Sequence, residues 1–449
     1  MEDFEERKGR VLERAKEDNV KFVNLRFIDM LGGIKNITIP VEQLEDSFER
    51  GTWFDGSSIE GFMRIAESDM ILMPDPDTYA VLPWEPQEKA TARLICDVYT
   101  PNGKPFEGDP RYILKRALKE AEDMGYIYNT GPELEFFLFK KNGEGPLRPV
   151  PHDIGGYFDY SPQDMASAVR RDIIFAVEKL GLFVEASHHE VAPGQHEIDF
   201  KYGHALASAD SAISMKHAVK AISYKHDLYA TFMPKPIFGE NGSGMHVHQS
   251  LFTPNGEPAF YDEKDKYNLS DLAKQFIAGQ LEHVKAMSAV LSPTVNSYKR
   301  LVPGYEAAVY ICWAQMNRSA LIRVPRISPD RRKSARAELR CPDPSCNPYL
   351  AFAVMLHAGL DGIKKKKKPP EPVEEDVYHF NDAKLKERYI NTLPASLGEA
   401  ISDMQGSELM KKALGKHTYQ KYIDIKKAEW DSYRIHVTDW EINQYLDKL

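Results

Sequence analysis

Cysteine is scarce in this 449-residue chain: Cys96, Cys312, Cys341 and Cys346 are the only four. Thiols so few and so scattered exclude a disulfide-held scaffold. Cys341 and Cys346 stand close, but no second Cys or His pair lies near them at zinc-site spacing, so they read as structural thiols. Long apolar runs are missing too. No uninterrupted stretch approaches the roughly 18 residues of a membrane span, and the opening MEDFEERKGRVLERAKEDN is charged where a secretory signal needs an apolar centre. The chain is therefore expected in the cytoplasm, with no membrane partner. Excess positive charge is absent as well. A formal net charge of -9 argues against nucleic acid as a partner, because phosphate backbones are bound by basic surfaces.

What is present fits an ordinary globular protein too long for one core, so two domains are expected. Residues 1–19 read as an amphipathic helix, and KFVNLRFID, KNITI and TARLICDVY read as strands of a small sheet domain. The Pro- and Gly-rich PNGKPFEGDP (101–110) marks the boundary, which gives domains 1–105 and 106–449. Beyond it a helix is expected over 162–180, from Ser161 as cap and Pro162 at its first position to the Gly181 stop. Two more are expected at 271–290, capped by Ser270, and at 348–362. The run Lys364 to Lys368 is followed at once by acids and reads as a solvated loop.

The chemistry concentrates in four segments. In GPELEFFLF (131–139), strand alternation puts Glu133 and Glu135 on one face and Leu134, Phe136 and Leu138 on the other. Two buried like charges cost several kcal/mol unless a cation neutralises them; the alternative is an edge strand with solvated acids. In HHEVAPGQHEID, Glu190 and Glu197 flank a Pro-Gly turn that can fold both toward one point. GSGMHVHQS puts His246 and His248 on one strand face, and ARAELR does the same for Arg336, Glu338 and Arg340. Carboxylates with an imidazole are the ligand chemistry of magnesium or manganese bound with phosphate. No HExxH is present, and the glycine-rich FGENGSGMH lacks the order of a P-loop. Arginines 300, 318, 323, 326, 331, 332, 336 and 340 supply guanidinium groups suited to carboxylate and phosphate. The residues alone thus point to a metal-dependent enzyme acting on phosphate and carboxylate, with no reaction named.

The motifs that carry these residues resemble glutamine synthetase nearly end to end and in that family's order: WFDGSSIEGF (53–62), GPELEFF (131–137), EASHHEVAPGQHEIDF (185–200), PKPIFGENGSGMHVHQS (234–250), NSYKRLVPGYEA (296–307), NRSALIRVP (317–325) and ELRCPDPSCNPYLA (338–351). The resemblance implies an α+β fold, with a small β-grasp-like N-terminal domain and a large catalytic domain whose curved antiparallel sheet is flanked by helices. It implies ligation of ammonia to glutamate with ATP through γ-glutamyl phosphate, in nitrogen assimilation. Two magnesium or manganese sites follow, one at Glu135, Glu190 and Glu197, the other at Glu133, His246 and Glu338. Glutamate contacts would be Asn241, Gly242, His246, Arg300, Glu306, Arg318 and Arg340, and ATP contacts Glu185, His248, Gln249, Ser250, Arg318 and Arg323. Asp55 matches the residue that captures and deprotonates ammonium, Glu306 the carboxylate of a flap over the intermediate, and Arg318 and Arg340 the groups that steady the transferred phosphoryl. The flap reads YEAAVY where many relatives have a proline after EA, and RISPDRRKSAR is slightly longer than in common relatives.

The family assembly would be a dodecamer of two hexameric rings with active sites between subunits, and the C-terminal YRIHVTDWEINQYLDKL resembles the segment that clasps the opposing ring. A nitrogen-regulatory protein is a further candidate partner. Chain length, and the absence of the tyrosine-bearing adenylylation segment, resemble the type I subclass under glutamine feedback, with Arg64 as its sensing residue. Two other readings stay open: a ligase of the same fold that takes a larger amine, and a catalytically silent assembly. The set Asp55, Ser57 and Glu306 favours ammonia, and the full complement of metal-ligand candidates favours an enzyme.

Overall fold

Alternating apolar residues in the first strands build a six-stranded sheet, seen in a computed structural model that describes residues 3–57, 59, 61, 69–141, 148–305, 307–327 and 329–449. Strand Phe22–Ile28 pairs antiparallel with Ile34–Pro40 and parallel with Thr91–Tyr99. Asp69–Pro74 follows, and Thr52–Asp55 forms the far edge. Val23, Leu25, Leu94, Cys96 and Val98 fill one face and pack against Val11 and Ala15 of helix Phe4–Glu17 and Leu44 and Phe48 of helix Leu44–Arg50. Cys96 is thus a core side chain, and all four cysteines are buried and free.

A nine-stranded sheet dominates the rest. Its path runs Tyr310–Ala314, Ala320–Arg323, Ala337–Leu339, Val247–Phe252, Ile127–Lys140, Gln195–Phe200 and Val184–His189, with Gly203–His204 and Leu228–Thr231 also paired to the central Ile127–Lys140. Neighbours are antiparallel except Tyr310–Ala314 with Ala320–Arg323, so the expected antiparallel sheet carries one parallel edge. Leu134, Phe136 and Leu138 turn into the main core, shared with helices Ala205–Lys225, Asp271–Leu291 and Pro348–Lys364. The last two cross so closely that a Cβ on Gly279 would stand 2.1 Å from the Ala358 carbonyl oxygen, so glycine there is a packing requirement. Among the described residues no helix is long and apolar enough to cross a membrane.

Ser270 caps Asp271–Leu291 through the Ala273 amide, and Pro348–Lys364 lies where its sequence predicts. The helix expected over 162–180 is shorter, Ser167–Lys179. Asp164 accepts from the Ala166 amide at 2.9 Å and holds Arg170 through both oxygens, which keeps the preceding residues in a turn. The Gly181 stop stands, at φ 90°. In the lysine run, Lys364, Lys365 and Lys367 pair with Glu120, Asp361 and Glu282 at the surface.

Arg111 joins the two cores. Its guanidinium is buried and donates to Asp97 and Asp75 at 2.7 Å each and to both oxygens of Asp210, in helix Ala205–Lys225, at 3.1 and 3.0 Å. Arg111→Leu leaves three carboxylates facing one another and should lower stability by about 3–5 kcal/mol. A calorimetric melt within a degree of wild type would show that this junction does not hold the fold.

Candidate active site

Sheet register brings the singled-out residues onto one patch. Glu135 lies opposite Glu197 and Glu133 opposite Asp199 across the pair formed with Gln195–Phe200. On the other side His248 lies opposite Gly131, and Glu338 lies opposite His248 one strand further. The patch opens on a cavity of about 540 Å³, beside a second of about 380 Å³; Glu133 and Asp199 belong to the walls of both. Such volumes suit small ligands.

Three overlapping ligand groups face the larger cavity, one of them, Glu133, Glu197 and Asp199, sharing a residue with each of the other two. Glu133, His246 and Glu338 offer atoms within 4.8 Å of one another, as do His188, Glu190 and Glu197. His246 Nδ1 stands 3.4 Å from Glu133 and 3.8 Å from Glu338, and His188 Nε2 stands 2.8 Å from Glu190 and 4.0 Å from Glu197. Glu135 lines the same cavity and accepts from Gln195 Nε2 at 2.9 Å and the Gly244 amide at 3.1 Å. A Cβ on Gly244 would stand 2.6 Å from Arg300 Nη2, so a larger residue there would displace that guanidinium.

The groups at Glu133 and at Glu190 differ electrostatically. Burial alone would raise the Glu133 carboxyl, but hydrogen bonds to His246 and His248 hold it far below the usual range. Glu338 is likewise buried yet held low by His248, Arg340 and His246; Arg340 and Arg323 stand 2.8 and 3.1 Å away. Arg336 Nε donates to His248 Nδ1 at 3.1 Å, so His248 turns its Nε2 hydrogen toward Glu133, 2.7 Å away. Burial and the nearby Arg340 charge lower the His246 pKa and keep that imidazole neutral. In the other group burial, then the Glu190 charge, raises Glu135 from 4.5 to about 8, and burial with the Glu135 charge pushes Glu197 up further. Carboxylates that resist ionisation together, with an imidazole beside them, are a donor set that a divalent oxygen-seeking cation satisfies.

Asn241, Gly242, Arg300, Arg318, Arg323 and Arg340 also line the larger cavity, while Glu185, His248 and Ser250 line the smaller. Arg300 is buried, donating to the carbonyls of Cys341, Pro342 and Arg340. The Gln249 side chain points the other way, into the core with Tyr128 and Gln280, which leaves only its main chain at the cavity. Asp55 is exposed on the edge strand and is absent from both walls among the described residues. Glu306 and Arg64 lie outside the described residues.

Sequence reasoning missed His188, Gln195 and Asp199. His188 stands two residues before Glu190, so alternation could have placed both on one face; nothing local marks Gln195 as a partner for Glu135 sixty positions away. Residues Lys333 to Arg336, in the longer loop, belong to the smaller cavity.

A family model described as the glutamine synthetase β-grasp domain matches residues 19–101, and one described as the glutamine synthetase catalytic domain matches residues 107–445. A glutamine synthetase of Methanosarcina mazei is 55% identical over 439 residues, covering 98% of this chain and 97% of that protein. One of Methanocaldococcus jannaschii is 55% identical over 444 residues, with 97% of each covered. A solved GmaS/ADP complex superposes with a TM-score of 0.88 at 32% identity, over 97% of this chain and 99% of that one.

A carboxyl raised in the folded state binds its proton more tightly there than in the unfolded chain, so folding loses stability as pH climbs from the ordinary 4.5 through the folded value near 8. Metal-free protein should therefore melt progressively lower across that window, by a few kcal/mol in all, and saturating magnesium should flatten the slope. Calorimetry with chelator and with magnesium tests this; identical slopes would mean that no cation meets Glu135.

Proposed function

The chain belongs to the glutamine synthetase family and ligates ammonia to glutamate, and we propose that its two adjacent cavities divide this work, with nucleotide at the smaller and glutamate at the larger. One observation carries this division: Glu133, with His246 and His248 against it, stands in the wall of both cavities, where the γ-phosphate of ATP would meet the glutamate side chain. The family uses ATP and divalent metals. Magnesium or manganese held by Glu133, His246 and Glu338, and by Glu135, Glu190 and Glu197 with His188 beside them, would neutralise phosphate and carboxylate charge as phosphoryl transfer needs.

The chain's own groups orient the reactants. Arg300, fixed on three carbonyls beside Gly244, offers a rigid cation for the glutamate carboxylate, with Asn241 and Gly242 next to it. Arg318 and Arg340 line the same cavity and would steady the phosphoryl group as it passes to the glutamate γ-carboxylate. Glu185, His248, Ser250 and Arg323 would hold the nucleotide. Ammonium must lose a proton before it can attack the acyl phosphate. Asp55 would take that role from a neighbouring subunit, since it is exposed at the sheet edge and borders neither cavity of its own chain among the described residues. Glu306 would close the flap against water.

On this reading the protein is cytoplasmic, assembles as two hexameric rings, belongs to the glutamine-feedback subclass with Arg64 as sensor, and has its domains at 1–105 and 106–449. A nitrogen-regulatory protein would act on the ring.

The first test measures glutamate-dependent phosphate release from ATP with ammonium, ethylamine, putrescine or no amine. Ammonium-dependent release with glutamine formed is expected; turnover with only a larger amine would move the reaction to a sister ligase. Asp55→Ala should lower kcat/KM for ammonium by roughly 10²-fold while leaving the KM for ATP little changed. Equal losses for both substrates would take the deprotonating role from Asp55.

A further inference from the structure

Beneath the turn that carries Glu190 and Glu197 lies a buried polar network outside both cavities, made of Asp153, Asp164, Arg170, His189 and His196. Asp153, His189 and His196 offer atoms within 4.8 Å of one another, which raises the idea of a further cation site. Proton placement argues against it. Arg170 Nη1 can only donate and stands 2.9 Å from His196 Nδ1, with Asp164 holding the guanidinium in place. His196 therefore accepts at Nδ1 and carries its hydrogen on Nε2, the atom a metal would need bare.

The network instead grips the turn at both ends. His189 Nδ1 donates to the Glu190 carbonyl at 2.7 Å, and its Nε2 faces Asp153 Oδ1 at 3.0 Å. That same oxygen accepts from the Gly194 amide at 2.8 Å, and Oδ2 accepts from the Met165 amide at 3.3 Å. Gly194 has φ 71°, and a Cβ there would stand 2.8 Å from the Leu138 carbonyl oxygen, so the turn takes no larger residue at this position. Gln195 passes the constraint on: it accepts from the Ala192 amide at 3.2 Å and donates to Glu135 at 2.9 Å.

We infer that Asp153 is a positioning residue: by fixing the turn over residues 190–195 it sets the spacing of Glu190 and Glu197, and hence the cation affinity of that one ligand group. The inference rests on the proposal that these carboxylates hold a divalent cation. Partners behind a ligand shell change metal affinity by about 10- to 100-fold, and Asp153 touches nothing at the Glu133, His246 and Glu338 group.

The test titrates Mn²⁺ into the metal-free assembled protein at fixed pH while free Mn²⁺ is followed by electron paramagnetic resonance. Wild type should show two classes of site per chain. Asp153→Ala should weaken by about 10- to 100-fold the class that Glu190→Ala abolishes and leave the class that His246→Ala abolishes in place; Asp153→Asn, which keeps one acceptor, should fall between. His189→Gln, which cannot bridge both partners, provides the same one-class loss if Asp153→Ala does not assemble. Unchanged binding in an assembled variant, or equal weakening of both classes, would overturn the positioning role. A wild type that binds no Mn²⁺ would instead refute the cation reading, and this inference with it.

Discussion

Acids buried side by side on one face of a sheet set the terms for the rest of this molecule. Glu135 and Glu197 sit opposite each other in register and both resist ionisation, whereas Glu338, more deeply buried, and Glu133, partly exposed, are held ionised by histidines and arginines. The difference lies in the neighbours. Arg323 and Arg340 reach Glu338 and offset its charge, and His246 and His248 hydrogen-bond Glu133, so the protein itself stabilises that half in its ionised form. The half at Glu135, Glu190 and Glu197 has Arg300 and His188 nearby, which do not offset burial and mutual repulsion at Glu135. A dication therefore gains more from the second half, and the first has positive charge to share with an incoming phosphate.

The scaffold explains how such unfavourable neighbours stay together. Glu133 and Glu135 stand on a fourteen-residue strand whose other face is locked in the main core, so neither can swing away without breaking that packing. Strands on both sides hold Glu197 and Glu338 at fixed register, and Gly279 allows a helix crossing that any side chain would block. Core packing behind this strand offsets the cost of holding buried like charges together on its open face.

Much of this was legible in the sequence because a strand has period two: alternation alone placed Glu133 with Glu135 and set Leu134 and Phe136 behind them. The turn between Glu190 and Glu197 was legible from Pro193 and Gly194 for a similar local reason. What failed was whatever depends on distant partners. Ser161 and Pro162 have the local form of a helix start, but Asp164 takes the Ala166 amide and Arg170, and the helix begins at Ser167. Gln249 sits between two cavity residues, and its side chain belongs to Tyr128 and Gln280. Asp153 lies in an undistinguished loop, and its hold on Gly194 spans 41 positions.

One exposed edge remains to be explained physically. Strand Thr52–Asp55 forms the outer edge of its sheet, with Trp53 56% exposed, and an exposed edge is a surface that proteins commonly cover. At the other end of the chain Ile435, Val437, Trp440 and Leu446 are each more than half exposed along a short helix and its flanks. A single chain gains nothing from either surface. In the proposed ring the edge strand would bring Asp55 to a neighbour's cavity while burying Trp53, and the C-terminal segment would bury its apolar side chains against the opposing ring. The same contacts that stabilise such an assembly would then complete the site, because among the described residues one chain brings the carboxylates and arginines to its cavities but not Asp55.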